Sequence, residues 1–549
     1  MHFETRTSVG LLFIGSLLMA ACADNAAGPG QLPACAAAGT PIALSVAGYM
    51  SVDPATDSGC VTFAANTSTT DSAEYLVLPQ SAGGNPGTSA SFALQSATPA
   101  VVASLFASGI TPSRSRGSAA LTFDRMLRRL ERNRSYATVG RAQTSPPIAQ
   151  SPPAPGSLRT FKVCNNNTCS SFTTVGARAQ SVGTHIAIYI DTLAPSPGLD
   201  ATTLDALKQV FDTRLYDLDT TTFGGVSDID NNSVVLVLMT NVVNKLVTKA
   251  QCTNSGYVAG FFFPADLDPS FAAQFNNGEI FYSIVADSLG TLSCSHKASE
   301  VASTTPVTFT HEFQHMINFV QHVLRNGGDS EDGWLDEGLS KYAEEIAGRS
   351  YLPDSQAAFS RYAIGSVYDA YQYLASPGTS PLLIPADTGT LAEVGASWLF
   401  VRYLVDQFGD SVAGKLVRTA SIGTANVATH TGQPFATTVS RWGLANWVSD
   451  LPSFAAPAEL QYKIWHFRAT FSSLHSQDPA DFPLAFPLVP VAAGGNAISV
   501  TGALWTGSGV YVRALQAPGG AAFTLRLRSS DGSAVNPAVV PRLNIVRIR

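Results

Sequence analysis

His311, Glu312 and His315 stand in an H-E-x-x-H arrangement within Thr-Pro-Val-Thr-Phe-Thr-His-Glu-Phe-Gln-His-Met-Ile-Asn-Phe. On a helix, residues i and i+4 lie one turn apart on one face, so both imidazoles can reach a single metal ion. Glu312 lies beside them and can hold a water on that ion. The surrounding stretch reads as helical. Thr305 suits the N-cap and Pro306 the first helical position. Phe309, Phe313, Ile317 and Val320, with Met316 and Leu324, recur every three to four residues as a core-facing side does. The two histidines are therefore expected to project from a buried helix into a cleft.

Two histidines leave a catalytic zinc one protein ligand short, with the fourth place kept for water. A third histidine ten residues after the first would fall on Gln321, and the glycine expected at 318 is Asn318, which excludes that pattern. His322 lies two turns beyond His315. At about 1.5 Å of rise per residue it is too far along the axis to share the ion. The remaining route is an acidic residue on a following helix. Trp334-Leu-Asp-Glu-Gly-Leu-Ser340 offers one, with 21 residues between His315 and Glu337.

An H-E-x-x-H followed by W-L-x-E-G-x-[SA] resembles the signature of the gluzincin metallopeptidases. The string from His311 to Phe319 is most similar to the hyicolysin-like secreted bacterial neutral metallopeptidases. The motif likeness covers Thr305 to Ala347, and the order of segments extends it loosely from Gly156 to Leu451. The resemblance implies that Glu337 is the third zinc ligand. Thermolysin-like gluzincins also carry an Asp four residues after that ligand to orient a histidine. Lys341 stands there in this chain, and Glu344 is the nearest substitute on the same helix face; the alternative for Glu344 and Glu345 is a solvated face. The implied reaction is hydrolysis of peptide bonds by a zinc-activated water, with Glu312 as general base and then acid. Family members supply a Tyr or His to the oxyanion, and Tyr362, Tyr368, Tyr371, Tyr373 and His430 are the candidates.

Composition sets the compartment. The net charge of -7 is small for 549 residues and argues against nucleic acid as a partner. Arg6 followed by the apolar run Val9 to Met19 reads as an export leader, too short to span a bilayer. Leu18-Met-Ala-Ala-Cys22 resembles a bacterial lipoprotein box, with Cys22 as a lipid-anchor site; Ala21-Cys22-Ala23 fits ordinary secretion instead. Either reading exports the chain to the cell envelope or beyond. Six cysteines then remain, an even number that in an exported chain implies disulfides. Neighbour pairing (35–60, 164–169, 252–294) is the simplest arrangement.

The expected architecture is a multidomain α+β chain. Residues 1–22 are the leader and 23–110 a small N-terminal β-domain, either an accessory module or a shield over the site. Residues 111–155 form an Arg/Pro/Ser-rich linker, with a short amphipathic helix around Arg125 to Arg134. That helix could attach to a membrane surface, mark an activation cut or be an exposed basic linker. Residues 156–475 form the zincin-like catalytic domain: a mixed β lobe carrying the H-E-x-x-H helix, then a helical lobe. Residues 476–549 form a small C-terminal β-domain. Asn277 to Tyr282 reads as the edge strand over the cleft, where an extended peptide can add a strand. Asp228, Asp230 and Asn232 have calcium-loop spacing, but Ser233 and Met239 depart from the loop template, so an Asx-rich turn is the alternative. No Gly-x-Ser-x-Gly elbow or phosphate-binding Gly-rich loop occurs. Two other functions compete: a non-catalytic surface-binding lipoprotein on a peptidase scaffold, and a zinc hydrolase of a non-peptide bond.

Overall fold

A computed structural model describes residues 35, 41–55, 59–96, 118–136, 151–352, 354–385 and 388–549. The leader and Cys22 lie outside them. The chain begins with four strands: β1 (Tyr49–Val52), β2 (Cys60–Phe63), β3 (Ala73–Ser81) and β4 (Ser89–Ser96). Helix α1 (Ser118–Asn133) follows. A mixed region then runs through β5 (Leu158–Cys164), β6 (Phe172–Val182), β7 (Ile186–Asp191), β8 (Val235–Met239), β9 (Gly260–Phe262) and β10 (Ile280–Ser283). The helical part contains α2 (Ala298–Phe319), α3 (Gly333–Arg349), α4 (Gln356–Ala375), α5 (Leu391–Phe408) and α6 (Phe435–Val448). Five strands close the chain: β11 (Val491–Gly494), β12 (Ser499–Trp505), β13 (Val512–Gln516), β14 (Phe523–Arg528) and β15 (Pro541–Arg547).

The middle of the chain is organised by a sheet of order β5-β6-β7-β8-β10-β9. Strands β7, β8 and β10 run parallel, and the rest pair antiparallel. Central β8 is Val-Leu-Val-Leu-Met and wholly buried, as a strand covered on both faces must be. Helix α2 packs on this sheet, with Phe309 edge-on to Phe281 at 4.6 Å. Its start differs from the sequence expectation. Glu300 reaches back to the Lys297 N–H at 3.0 Å, so the helix begins at Ala298 and encloses Pro306. Pro306 removes one backbone donor from the ladder.

The strands of the two chain ends do not form two separate β-domains, as the sequence reading expected. They interleave in two sheets, β1-β15-β3-β13-β11 and β12-β4-β14-β2. Strand β3 lies between β15 and β13, and β4 between β12 and β14, so neither amino-terminal strand has a free edge. All nine residues of β3 are buried because its two faces serve different cores. Tyr75 and Val77 fill the sandwich, whereas Leu76 and Leu78 join the core of the middle region. The sandwich docks on α6: Gln80 Nε2 donates to Val439 O at 3.3 Å and Tyr511 Oη to Gly443 O at 2.8 Å. The reason the sequence could not show this is that alternation marks a strand but not its neighbour.

The six cysteines pair as neighbours, Cys35–Cys60, Cys164–Cys169 and Cys252–Cys294. Such bonds fit an oxidising, extracytoplasmic setting. Among the described residues no helix is long and apolar enough to cross a membrane.

Removing residues 491–549 should strip β3 and β4 of their partners on both sides. In limited proteolysis the segment 41–96, protected in the full chain, is expected to become the fastest-cut part. A segment that stays protected would show that the amino-terminal strands fold without the carboxy-terminal ones.

Candidate metal centre

Helices α2 and α3 cross so that one supplies imidazoles and the other carboxylates. His311 Nδ1 lies 2.8 Å from Glu344 Oε1, and His315 Nδ1 lies 2.9 Å from Asp336 Oδ2. A carboxylate at Nδ1 holds the proton there and leaves the Nε2 lone pair free. The two Nε2 atoms point at each other across 3.2 Å. Glu337 completes the group, with Oε1 3.5 Å from His315 Nε2 and Oε2 3.9 Å from His311 Nε2. Ligand atoms about 2.0–2.2 Å from one tetrahedrally held ion lie roughly 3.3–3.6 Å apart. Two facing lone pairs and a buried carboxylate oxygen, Glu337 Oε1, that accepts no hydrogen bond suit a cation between them.

Glu344, named from sequence as the substitute partner, meets His311 because residues 337, 341 and 344 share one face of α3. Asp336 was missed. Adjacent helical residues do not face the same way, so a reading that follows Glu337 along its own face passes over it. The structure brings it to His315 and also to Asn318 Nδ2. Neither Glu344 nor Glu345 lies on a solvated face. Glu345 accepts from Arg349, Arg402, Trp398 and Trp465 at 2.7–3.1 Å, tying α3 to α5 and the chain beyond it. Gly338 makes this packing possible: a Cβ there would sit 2.6 Å from Ser397 O on α5.

Glu312 is buried beside the histidines, and its Oε2 accepts the Phe262 N–H at 2.9 Å. Phe262 ends β9, which is the sheet edge beside the cleft. The expected edge, around Asn277 to Tyr282, is instead the interior strand β10, because β9 pairs on its outer side. A cavity of about 230 Å³ opens here, with His311, Glu312, Glu337, Thr308 and Gly260 in its walls. Lys341 also lines it, 3.1 Å from Glu344 Oε1 and 3.9 Å from Asp369 Oδ2. Though burial works against its charge, these two carboxylates raise the Lys341 pKa. Burial pushes Asp369 up to about 7, against the pull of Lys341. Lys341 thus balances a carboxylate pair that would otherwise repel.

None of the five oxyanion candidates is among the described lining residues of this cavity. Tyr371 Oη bonds the Leu484 backbone, Tyr373 stacks on Trp442, Tyr362 packs on Tyr351, Tyr368 meets Phe482 and His430 Nδ1 faces Asn426. His322, carried round by a π-helical turn, faces Glu331 at 3.7 Å.

The fourth wall is helix α1. Its basic residues divide: Arg125 and Arg128 are buried, whereas Arg129, Arg132 and Arg134 are exposed. Asp124 on this helix sits 3.8 Å, through Oδ1, from His315 Nε2. Burial and then the facing Glu337 charge push the Asp124 carboxyl well above its ordinary range. The sequence signal for it is the Asp124/Arg128 spacing of four, which puts the two on one helix face.

At the loop with calcium spacing, Asp228 and Asp230 gather with Glu279. Asn232 does not join as an oxygen ligand: its Oδ1 accepts from Val234 N and its Nδ2 donates to Asp230. Asp228 and Asp230 accept backbone N–H bonds from Ser233 and Asn232. These are bonds of an Asx-rich turn.

Asp336→Asn and Glu344→Gln should each leave an imidazole without its anionic partner and weaken metal retention about 10–100-fold. Competition against a chromophoric chelator measures this. Unchanged affinity in both would separate these carboxylates from metal holding.

No family model matches the chain. Over 141 residues it is 31% identical to the neutral metalloprotease ShpI of Staphylococcus hyicus. The match spans 26% of this chain and 30% of that protein, so less than a third of the relative's length is covered. That partial likeness supports kinship with metallopeptidases, and with it a metal cofactor and a hydrolase.

Proposed function

We propose that the chain is an exported zinc-dependent endopeptidase of the gluzincin type that hydrolyses protein or peptide substrates. The observation that carries the reading is the pair of Nε2 atoms 3.2 Å apart, faced by Glu337 and flanked by Glu312 in one cavity. His311, His315 and Glu337 would hold the ion. The donor set of two imidazoles and one carboxylate matches a catalytic zinc site, which keeps its fourth position for water. Zinc there supplies Lewis acidity, polarising a carbonyl and acidifying a water.

The remaining steps belong to the chain's own groups. Glu312 is the base: it takes a proton from the attacking water and gives it to the leaving amine. The Phe262 N–H fixes one of its oxygens and leaves the other for that proton. Glu344 and Asp336 keep Nδ1 of each histidine protonated, so both rings face the site in one tautomer. The adjacent edge of β9 is suited to hold an extended peptide by main-chain hydrogen bonds, which favours a peptide over a small ester. The leader and the three disulfides support export; attachment through Cys22 is the anchored form of that reading.

The test measures zinc content and hydrolysis of fluorescence-quenched casein for the parent chain and Glu312→Gln. Both should carry one zinc, and the variant should lose about 10²–10⁴-fold of the parent's rate. A parent chain that binds no zinc would sink the reading. So would a variant as active as the parent.

A further inference from the structure

The helix that closes the cavity comes from the basic connector, not from the region that carries the motif. It brings Asp124 to the side of the metal cluster not covered by α2 and α3. Asp124 Oδ1 is 3.8 Å from His315 Nε2, on the His315 side of the tighter group formed by His311, His315 and Glu337. Both Asp124 oxygens and Glu337 Oε1 are buried with no N–H or hydroxyl group donating to them, and the two carboxyl groups face each other closely enough to share a proton when no cation is bound. A buried carboxylate without donors is costly, and two that face each other are more so. Arg128 cannot satisfy them alone. It lies 3.3 Å from Asp124 but is shared with Glu131 at 2.6 Å and Asp336 at 3.7 Å. A divalent ion held by Asp124 together with His311, His315 and Glu337 removes the conflict.

A second observation is independent of the carboxylates. Helix α1 lies across the edge strand that a peptide would use. Phe123 packs edge-on to Phe261 at 5.1 Å, and Arg128 Nη2 reaches Phe262 O at 3.5 Å. The helix is tied down at several points along its length. Arg125 donates to the Gly389 and Thr390 carbonyls, Arg132 pairs with Asp332 at 2.5 Å, and Arg134, just past its end, pairs with Asp268 at 2.8 Å. Arg128, Arg132 and Arg134 thus each meet a carboxylate of the surface that the helix covers.

We propose that Asp124 is a fourth metal ligand in the intact chain, and that helix α1 thereby holds the site closed against water and peptide until it is displaced. The proposal rests on the metallopeptidase reading above. Opening is a ligand exchange in which water takes the place of the Asp124 carboxylate, with no change of oxidation state and no co-reactant. Asp124 is a closing ligand, not a catalytic residue.

Two measurements test it on the full chain. Zinc X-ray absorption of the unmutated protein should give two imidazoles and two carboxylates; two imidazoles, one carboxylate and a water would overturn the proposal. Acetohydroxamate, a small chelating ligand that needs the open position, should bind Asp124→Asn and Asp124→Ala about tenfold or more tighter than the parent, because the open fraction in the parent is small. Casein hydrolysis should rise in the same order, and the visible spectrum of the cobalt-substituted protein should change on substitution. Equal hydroxamate affinity and equal cobalt spectra in parent and variants would overturn it while leaving the peptidase reading intact. A parent without bound metal would take down both. Asp124→Asn is isosteric and removes a buried charge, so folding is not the variable, and the absorption experiment needs no variant.

Discussion

Two imidazole Nε2 atoms turned to one point, 3.2 Å apart, are the constraint around which the middle of the molecule is built. Such a pair needs a proton or a cation between its nitrogens. It requires both Nδ1 protons to be held, which Glu344 and Asp336 do from α3. Helix α3 must therefore run close to α2 at a fixed height and rotation. Its other side secures that position: Gly338 lets α5 approach, and Glu345 gathers two arginines and two tryptophans into one buried knot. The placing of the two histidines and the helix packing are one problem with one solution.

Charge accounts for the rest of the cleft. Five carboxylates, those of Glu312, Asp336, Glu337, Glu344 and Asp369, crowd a small buried volume. The neighbouring cations are few and specific. Lys341 serves Glu344 and Asp369, while Arg128, delivered by α1, serves Asp124, Glu131 and Asp336. Lys341 stands four residues after Glu337 and pairs with Glu344, the carboxylate that meets His311 Nδ1.

The split β-sandwich bears on how α1 is held. Strands β3 and β4 are gripped on both sides by carboxy-terminal strands, independently of the cleft. Displacing α1 from the edge of β9 does not require the amino-terminal strands to leave. Through these pairings the amino-terminal strands are built into the same two sheets as the carboxy-terminal ones. That arrangement also places the motif-bearing region as an insertion between two halves of one β-structure, docked on it through α6.

What single elements present was readable from the residues alone. The spacing of His311 and His315 requires a shared face on a helix, whatever the surroundings. The neighbouring cysteines pair as their order suggests, and Glu337 lies where the following helix brings it. What tertiary structure decided was every relation between segments distant in sequence. Alternation in β3 and β15 marks two strands but carries no information that they are partners. Asp336 looks like a neighbour of Glu337, yet on a helix it points elsewhere, and only the crossing of α2 and α3 brings His315 to it. The start of α2 was misplaced because Pro306 suits a first turn, whereas the Glu300 cap and the packing of the preceding turn extended the helix through it. Arg125 and Arg128 read as part of a solvated surface because the Gly389 carbonyl and Asp336 that they meet approach only in the folded chain. Sequence spacing fixes what one element presents; long-range packing alone selects what it meets.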